Sequence, residues 1–262
     1  MSENPVRRQQ LEMTVTGIQR RYGCLALVQG KSPTGIGHGG AFPYIPTGFP
    51  QLDEALGIGG LAKGRVTELI GPATSGKTTL ALQFLAAAQA NGSQVGYLDQ
   101  ACSFDPDYAY QCGVDLARLL VLSPQDWREA LAMAEALVGS GGLCALVFDG
   151  LDALWSDPDA APQIAACLNR LAAPLARSGT VLVFLHAPAT GGSPALSALA
   201  HHATLRLGVT RELWLRRSGD VQGYQVRVEV LKNRLGPAGR VVAMAIVCSG
   251  TMRGQGLGLR GR

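Results

Sequence analysis

The chain has 262 residues and a formal net charge of +4, with 47% hydrophobic and 16% charged residues; it is too apolar for global disorder and long enough to bury a core without staples. No apolar run approaches the roughly 20 residues of a membrane span, and the polar start, MSENPVRRQQ, has no apolar signal core, so no membrane association is expected. Six scattered cysteines (24, 102, 112, 144, 167 and 248) form no C-x-x-C pair, which speaks against a disulfide framework or zinc site and fits a cytoplasmic location.

In chain order, the pattern predicts a helix over residues 5–22, a short strand over 24–28 and a Gly/Pro/Ser-rich linker over 31–44. A short helix follows over 50–56, then a strand over 65–70 that ends at Gly71-Pro72. Strong helix formers over 77–90 stop at Asn91-Gly92, a C-terminal signal. An apolar strand over 95–98 ends at Asp99, and residues 124–138 place Trp127, Leu131 and Ala134 on one helical face. A continuous apolar strand over 143–148, a helix over 163–177 and a strand over 180–185 complete an alternation that means a mostly parallel sheet with helices on both faces. Beyond residue 203 the pattern becomes consecutive strands, over 203–209, 212–217, 224–232 and 240–247, an antiparallel extension of the same sheet. The Gly/Arg tail, 250–262, is expected to be flexible. The domain reading is therefore an N-terminal helix and strand over 1–33, a core over 34–249 and the tail.

Charge is uneven along the chain: residues 51–202 carry a net −7 and residues 203–262 a net +8. A basic block of this kind faces nucleic acid, phosphates or an acidic neighbour, or is a solvated β-surface with alternating arginines.

The sharpest motif is Gly71-Pro72-Ala73-Thr74-Ser75-Gly76-Lys77-Thr78, which reads G-x-x-x-x-G-K-[ST] between a predicted strand and a predicted helix. Glycines let backbone N–H groups curl around a polyphosphate, and the helix N-terminus adds its dipole. Lys77 is expected to reach the β- and γ-phosphates and Thr78 to ligate Mg²⁺. A second Mg²⁺ anchor is expected from Asp149, at the end of the apolar strand before it, because buried parallel strands aim their C-terminal ends at the ligand crevice. His186, His201 and His202 lack the carboxylates and spacing of a metal site and read as core or surface histidines.

These residues carry a resemblance to the bacterial RecA recombinases, close over residues 46–160. Pro46-Thr47-Gly48, Leu52-Asp53 and the run Leu56-Gly57-Ile58-Gly59-Gly60-Leu61 resemble the family's lead-in to its phosphate loop; Thr79 and Leu80 continue the loop itself. Asp105-Pro106, Tyr108-Ala109 and Gly113-Val114-Asp115 follow at the family's spacing, with weaker similarity at 18–23 and 230–234. The resemblance implies an α/β fold: a RecA-type P-loop ATPase core, with ATP and Mg²⁺ bound between subunits that assemble with one another on DNA, single-stranded DNA first. It places Asp105 and Tyr108 around the adenine, where a surface turn opening a helix is the alternative. It makes Lys232 and Arg234 the cations that reach a neighbouring subunit's γ-phosphate, where a solvated strand end is the alternative.

The departures are specific. The family's water-activating glutamate falls at Ala101, and its γ-phosphate-sensing glutamine at Ala187. The DNA-binding loop is short, over 187–192, and the other DNA-contacting loop, around 155–162, is shortened and acidic. The family's C-terminal domain is not expected in this chain. The expected function is that of a RecA-like ATP-binding protein of DNA repair or recombination with weakened hydrolysis. The alternative is a non-catalytic accessory factor of the ImuA type that recruits other repair proteins.

Overall fold

A computed structural model describes residues 42–151, 157, 159–188, 193–217, 220–247 and 252–254, together with positions 9, 13, 14, 16 and 20. The chain divides into two compact units, Met1–Ala41 and Phe42–Arg262. In the first, the described positions are helical; the strand expected over 24–28 and most of the linker lie outside the described residues.

The second unit opens with a two-residue strand β1 (Tyr44–Ile45), helix α1 (Pro50–Leu56) and β2 (Leu61–Ala62), with β1 and β2 antiparallel. Helix α1 starts at a proline, which fits the first helical position. Asp53 is tied back to the entry chain, accepting from the Thr47 N–H at 2.9 Å and its hydroxyl at 2.7 Å. The alternating core follows as β3 (Val66–Ile70), α2 (Lys77–Ala88), β4 (Val95–Asp99), α3 (Pro106–Gln111), β5 (Leu119–Leu122), α4 (Trp127–Ser140), β6 (Ala145–Asp149), α5 (Ala160–Ser178), β7 (Val181–His186) and α6 (Pro194–His202). The extension is β8 (Leu205–Arg217), β9 (Asp220–Asn233), β10 (Val241–Val247) and β11 (Met252–Gly254).

The main sheet has the order β11-β10-β9-β8-β3-β7-β6-β4-β5. From β8 to β5 all pairings are parallel, and from β8 to β11 all are antiparallel. Two cores follow from this. One gathers α1, α2 and Ala109 of α3 against Val147, Val183, Leu207, Val228 and Met244. The other gathers α4, α5 and α6 against Leu146, Phe148, Leu182 and Phe184. Valine-rich central strands are buried on both faces because helices cover both.

Several expectations change. The two strands expected over 203–209 and 212–217 are one long strand, Leu205–Arg217, because a bulge between Arg211 and Leu213 carries the chain past its polar break. Helix α5 starts at Ala160, so residues 160–162 of the expected acidic loop are helical. Within the tail, Met252–Gly254 pairs antiparallel with β10. Strand β5 and helix α6 were not foreseen. Among the described residues no helix is long and apolar enough to cross a membrane.

Candidate functional site

The G-x-x-x-x-G-K-[ST] run leaves β3 in the middle of the sheet and enters α2, the geometry its spacing predicts. Its first glycine cannot be anything larger: a Cβ on Gly71 would stand 2.2 Å from the Val209 carbonyl oxygen of β8 and 2.6 Å from Ser75 Oγ. Gly71 N–H also donates to the His186 carbonyl on β7 at 3.2 Å, so the loop is clamped between both neighbours of β3. Thr74 has φ 60° and Gly76 φ 98°. A left-handed β-branched residue is strained by roughly 1–3 kcal/mol, and here the strain turns the loop back on itself. Gly76 caps α2, whose first N–H groups point into the loop.

The interior of this loop suits an anion. Lys77 Nζ folds inward to donate to the carbonyls of Gly71 (2.5 Å) and Pro72 (2.9 Å). Ser75 is 1% exposed and its hydroxyl has no hydrogen-bond partner among the described residues. A buried orphan hydroxyl beside a lysine ammonium and a helix N-terminus fits a bound phosphate chain. Thr78, on the first turn of α2, is exposed.

Asp149 ends β6, half-buried, and is in register with Asp99 at the end of β4. Tyr97, fully buried in β4, donates to Asp149 Oδ2 at 2.5 Å. Burial and that carboxylate push the Tyr97 phenol well above its ordinary range, so it stays a donor and fixes the rotamer of Asp149. Asp99 holds the following turn, accepting from Ser103 N–H (3.1 Å) and Phe104 N–H (2.8 Å). The hard oxygen donors of Thr78 and Asp149 suit Mg²⁺.

Ala101 lies in that turn, against the residue after Asp149: a Cβ on Gly150 would meet the Ala101 nitrogen at 2.5 Å and its Cβ at 3.0 Å. The position expected to carry a general base therefore stands against the residue that follows Asp149 and presents a methyl group. Ala187 follows β7, its carbonyl 2.8 Å from His186 Nδ1.

Asp105 caps α3, its Oδ1 accepting from Asp107 and Tyr108 N–H at 2.9 and 3.0 Å. Tyr108, one turn on, reaches across to Thr79 of α2, with the two hydroxyls 2.6 Å apart. Burial raises the Tyr108 phenol to about 12, with the Thr79 bond opposing and the neighbouring Cys112 and Tyr224 adding to the rise. Asp105, Tyr108 and Thr79 are thus brought to the flank of the phosphate loop.

Lys232 and Arg234 are not at this end of the sheet. Lys232 pairs with Arg206 at the start of β8, and Arg206 pairs with Glu68, three residues before Gly71. At ~3.3 Å per residue Lys232 sits about 10 Å back along the sheet from Gly71, and Arg234 lies further back. There they close the C-terminus of α6: Lys232 donates to the carbonyls of Ala200 (2.6 Å) and His201 (3.4 Å), and Arg234 to that of His201 (2.6 Å). Burial, and then Arg234, hold the Lys232 ammonium below its ordinary range.

One buried ion pair near the loop has no sequence signal. Glu68, in the centre of β3, is fully buried and accepts from Arg206 Nε at 2.7 Å, with His186 Nε2 3.6 Å away. This pair locks β8 to β3 three residues before the loop.

The RecA N-terminal domain model matches residues 9–253. RecA of Amycolatopsis mediterranei (strain U-32) is 35% identical over 262 residues, covering 90% of this chain and 73% of that protein. RecA of Aquifex aeolicus (strain VF5) is 33% identical over 261 residues, covering 90% and 74%. Among solved structures, that of the RadB recombinase matches with a TM-score of 0.64 at 22% identity, over 79% of this chain and 97% of that one; at that identity the likeness is one of fold.

Proposed function

Given that the chain belongs to the RecA family, we propose that it binds ATP with Mg²⁺ at the Gly71–Thr79 loop and assembles with its own copies on single-stranded DNA in repair or recombination, as a slow ATPase. The setting is the reducing cytoplasm, where the cysteines stay free. Bound Mg²⁺ supplies positive charge to the phosphates. The chain's own groups do the rest. The loop N–H groups, Lys77 and the Ser75 hydroxyl bind the phosphate chain, Thr78 and Asp149 hold the metal, and Tyr97 orients Asp149. Tyr108 and Asp105 take the adenine. Lys232 and Arg234, too far from their own loop, act on a neighbouring subunit's γ-phosphate, where a cation stabilises developing charge.

The observation that carries slow turnover is the methyl of Ala101 against Gly150, the residue after Asp149, at the position where the family's glutamate would take a proton from water. Loss of a general base typically lowers a rate ~10²–10⁴-fold. Binding and assembly need no base, so ATP acts here as a switch rather than a fuel. The experiment is calorimetry with Mg·ATP. Wild type should bind, and Lys77→Ala should bind at least tenfold more weakly; equal affinities would contradict the site.

A second reading, a non-catalytic accessory factor, is favoured by one contact. Asp157, in the shortened acidic segment that stands where the family has a DNA-contacting loop, is tied to α4, accepting from the Trp127 indole at 3.0 Å with Arg128 3.4 Å away. Salt-dependent single-strand binding separates the readings, since phosphate contacts give a steep salt slope.

A further inference from the structure

Two acids stand side by side at the ends of central strands: Asp99 on β4 and Asp149 on β6 are direct neighbours in the parallel ladder. They are not equivalent. Asp99 is buried, and both its oxygens serve the turn that follows, Oδ1 accepting from Ser103 N–H and Oδ2 from Phe104 N–H. Asp149 is half-buried, and its Oδ2 accepts from the Tyr97 hydroxyl. That donor comes from the neighbouring strand. Tyr97 pairs with Val147, two residues before Asp149, so its side chain leaves the same face of the sheet and rises along it to the carboxylate. At 2.5 Å the contact lies at the short end of O–H···O hydrogen bonds.

The phenol is held in place. Tyr97 is 1% exposed, and its ring rests on Phe104 with centroids 5.0 Å apart. Phe104 is in turn fixed by Asp99. A buried phenol hydroxyl needs a partner, and Asp149 is that partner. Among the described residues no three His, Cys, Asp or Glu side chains gather to hold a metal. Most ligands of a cation bound with a nucleotide must therefore come from phosphate and water, and a single protein carboxylate has leverage on which ion is accepted. A carboxylate can clasp a cation with both oxygens or touch it with one. Ca²⁺ is large, takes more oxygens and accepts the two-oxygen clasp; Mg²⁺ is small, demands a near-ideal octahedron and keeps its waters.

We propose that Tyr97 is a specificity-determining residue for the divalent cation that accompanies the nucleotide: by holding Oδ2 of Asp149 it denies a large cation the two-oxygen clasp and leaves the site to small octahedral ions, Mg²⁺ and Mn²⁺. The inference rests on the reading that Thr78 and Asp149 hold the metal of a bound nucleotide. It goes further in assigning the choice of cation to a residue that is no ligand of the metal. Tyr97 is a positioning residue, and it acts through Asp149. The determinant is one hydroxyl, since a phenylalanine there fills the same space and leaves Oδ2 to the cation.

The test is equilibrium binding of ATP by the full chain in MgCl₂, MnCl₂ or CaCl₂, and in EDTA without a cation. Wild type should bind roughly tenfold more tightly with Mg²⁺ or Mn²⁺ than with Ca²⁺. Tyr97→Phe should narrow that gap by about tenfold, the usual worth of a hydrogen bond to a carboxylate, chiefly through tighter binding with Ca²⁺. Its affinity in EDTA should stay at the wild-type value. On an Asp149→Asn background, Tyr97→Phe should no longer move the ratio. An unchanged Mg²⁺/Ca²⁺ ratio in Tyr97→Phe, an equal loss with every cation and in EDTA, or a shift that persists without the Asp149 carboxylate would overturn the inference and leave the phosphate site standing. A wild type whose ATP affinity is the same in Mg²⁺ and in EDTA would overturn the metal reading together with the inference, and failure to bind ATP at all would overturn the nucleotide reading as well.

Discussion

Gly71→Ala tests the close approach on which the phosphate loop depends. The added methyl carbon would stand 2.2 Å from the Val209 carbonyl oxygen, where real contacts do not fall below about 3.0 Å. One backbone must therefore retreat by about 0.8 Å. Strand β8 is poorly placed to move: the ladder pairs Ile70 with Gly208, and the Glu68–Arg206 pair locks the same two strands two residues earlier. The loop is the softer partner. Overpacking of this kind costs about 1–3 kcal/mol, divided between lowered stability and a loop lifted off its binding geometry. Urea unfolding and ATP calorimetry on the same preparation measure both parts, and together they should reach about 2 kcal/mol. Gly139→Ala is the contrast. It lies in α4 with nothing within 4 Å of the added carbon, so it should stabilise by about 0.5 kcal/mol through helix propensity alone. Gly71→Ala with wild-type stability and wild-type affinity would refute the clamp.

Arg206→Met removes the arginine that pairs with the buried Glu68. A broken buried pair typically costs ~3–5 kcal/mol, and because Arg206 keeps 29% of its side-chain exposure the lower end is expected. Adding Glu68→Gln should recover most of the loss in urea unfolding; a double variant as unstable as the single would contradict the pairing. His202 supplies a pH dependence. Burial, then His201, Arg234 and Lys232, hold its imidazolium below the ordinary histidine range in the fold. The unfolded chain therefore takes the proton first, and stability should fall as pH drops below about 6.5, the unfolded value. His202→Gln should flatten that part of a urea midpoint series between pH 5.5 and 7.5, and an unchanged slope would count against the assignment.

The chemistry that is local in sequence was legible, and the chemistry that is tertiary was not. The phosphate loop, α1 and the acid-ended strand β6 are written in contiguous residues: glycines at fixed spacing, Pro50 at a helix start, an apolar run closing on Asp149. Strand β5 escaped notice because Leu119–Leu122 is short and partly exposed, with neither alternation nor a turn signal to mark it. Helix α6, Pro194–His202, has nine residues, too few for a helical period to stand out in an alanine-rich stretch. The polar pair Thr210-Arg211 read as a turn because nothing local announces a bulge. Nothing local marks Glu68 as buried and paired, because its partner Arg206 is 138 residues away. Tyr97 and Asp149, 52 residues apart, are joined only by the register of β4 on β6. The lysine and arginine at 232 and 234 stand out by resemblance, but their place away from their own loop is a property of the register of β9 on β8.

The central claim is that this site holds ATP and turns it over slowly because Ala101 stands where a base is needed. The direct measurement is steady-state ATP hydrolysis with saturating single-stranded DNA, on protein whose Mg·ATP binding has been confirmed by calorimetry. Tight binding is expected, with a rate ~10²–10⁴-fold below that of a full recombinase assayed alongside, and a rise in that rate on Ala101→Glu. Hydrolysis by wild type at the full recombinase's rate would contradict it. Another residue would then have to orient the water, with Gln100, whose buried Oε1 has no hydrogen-bond partner among the described residues, the first to mutate.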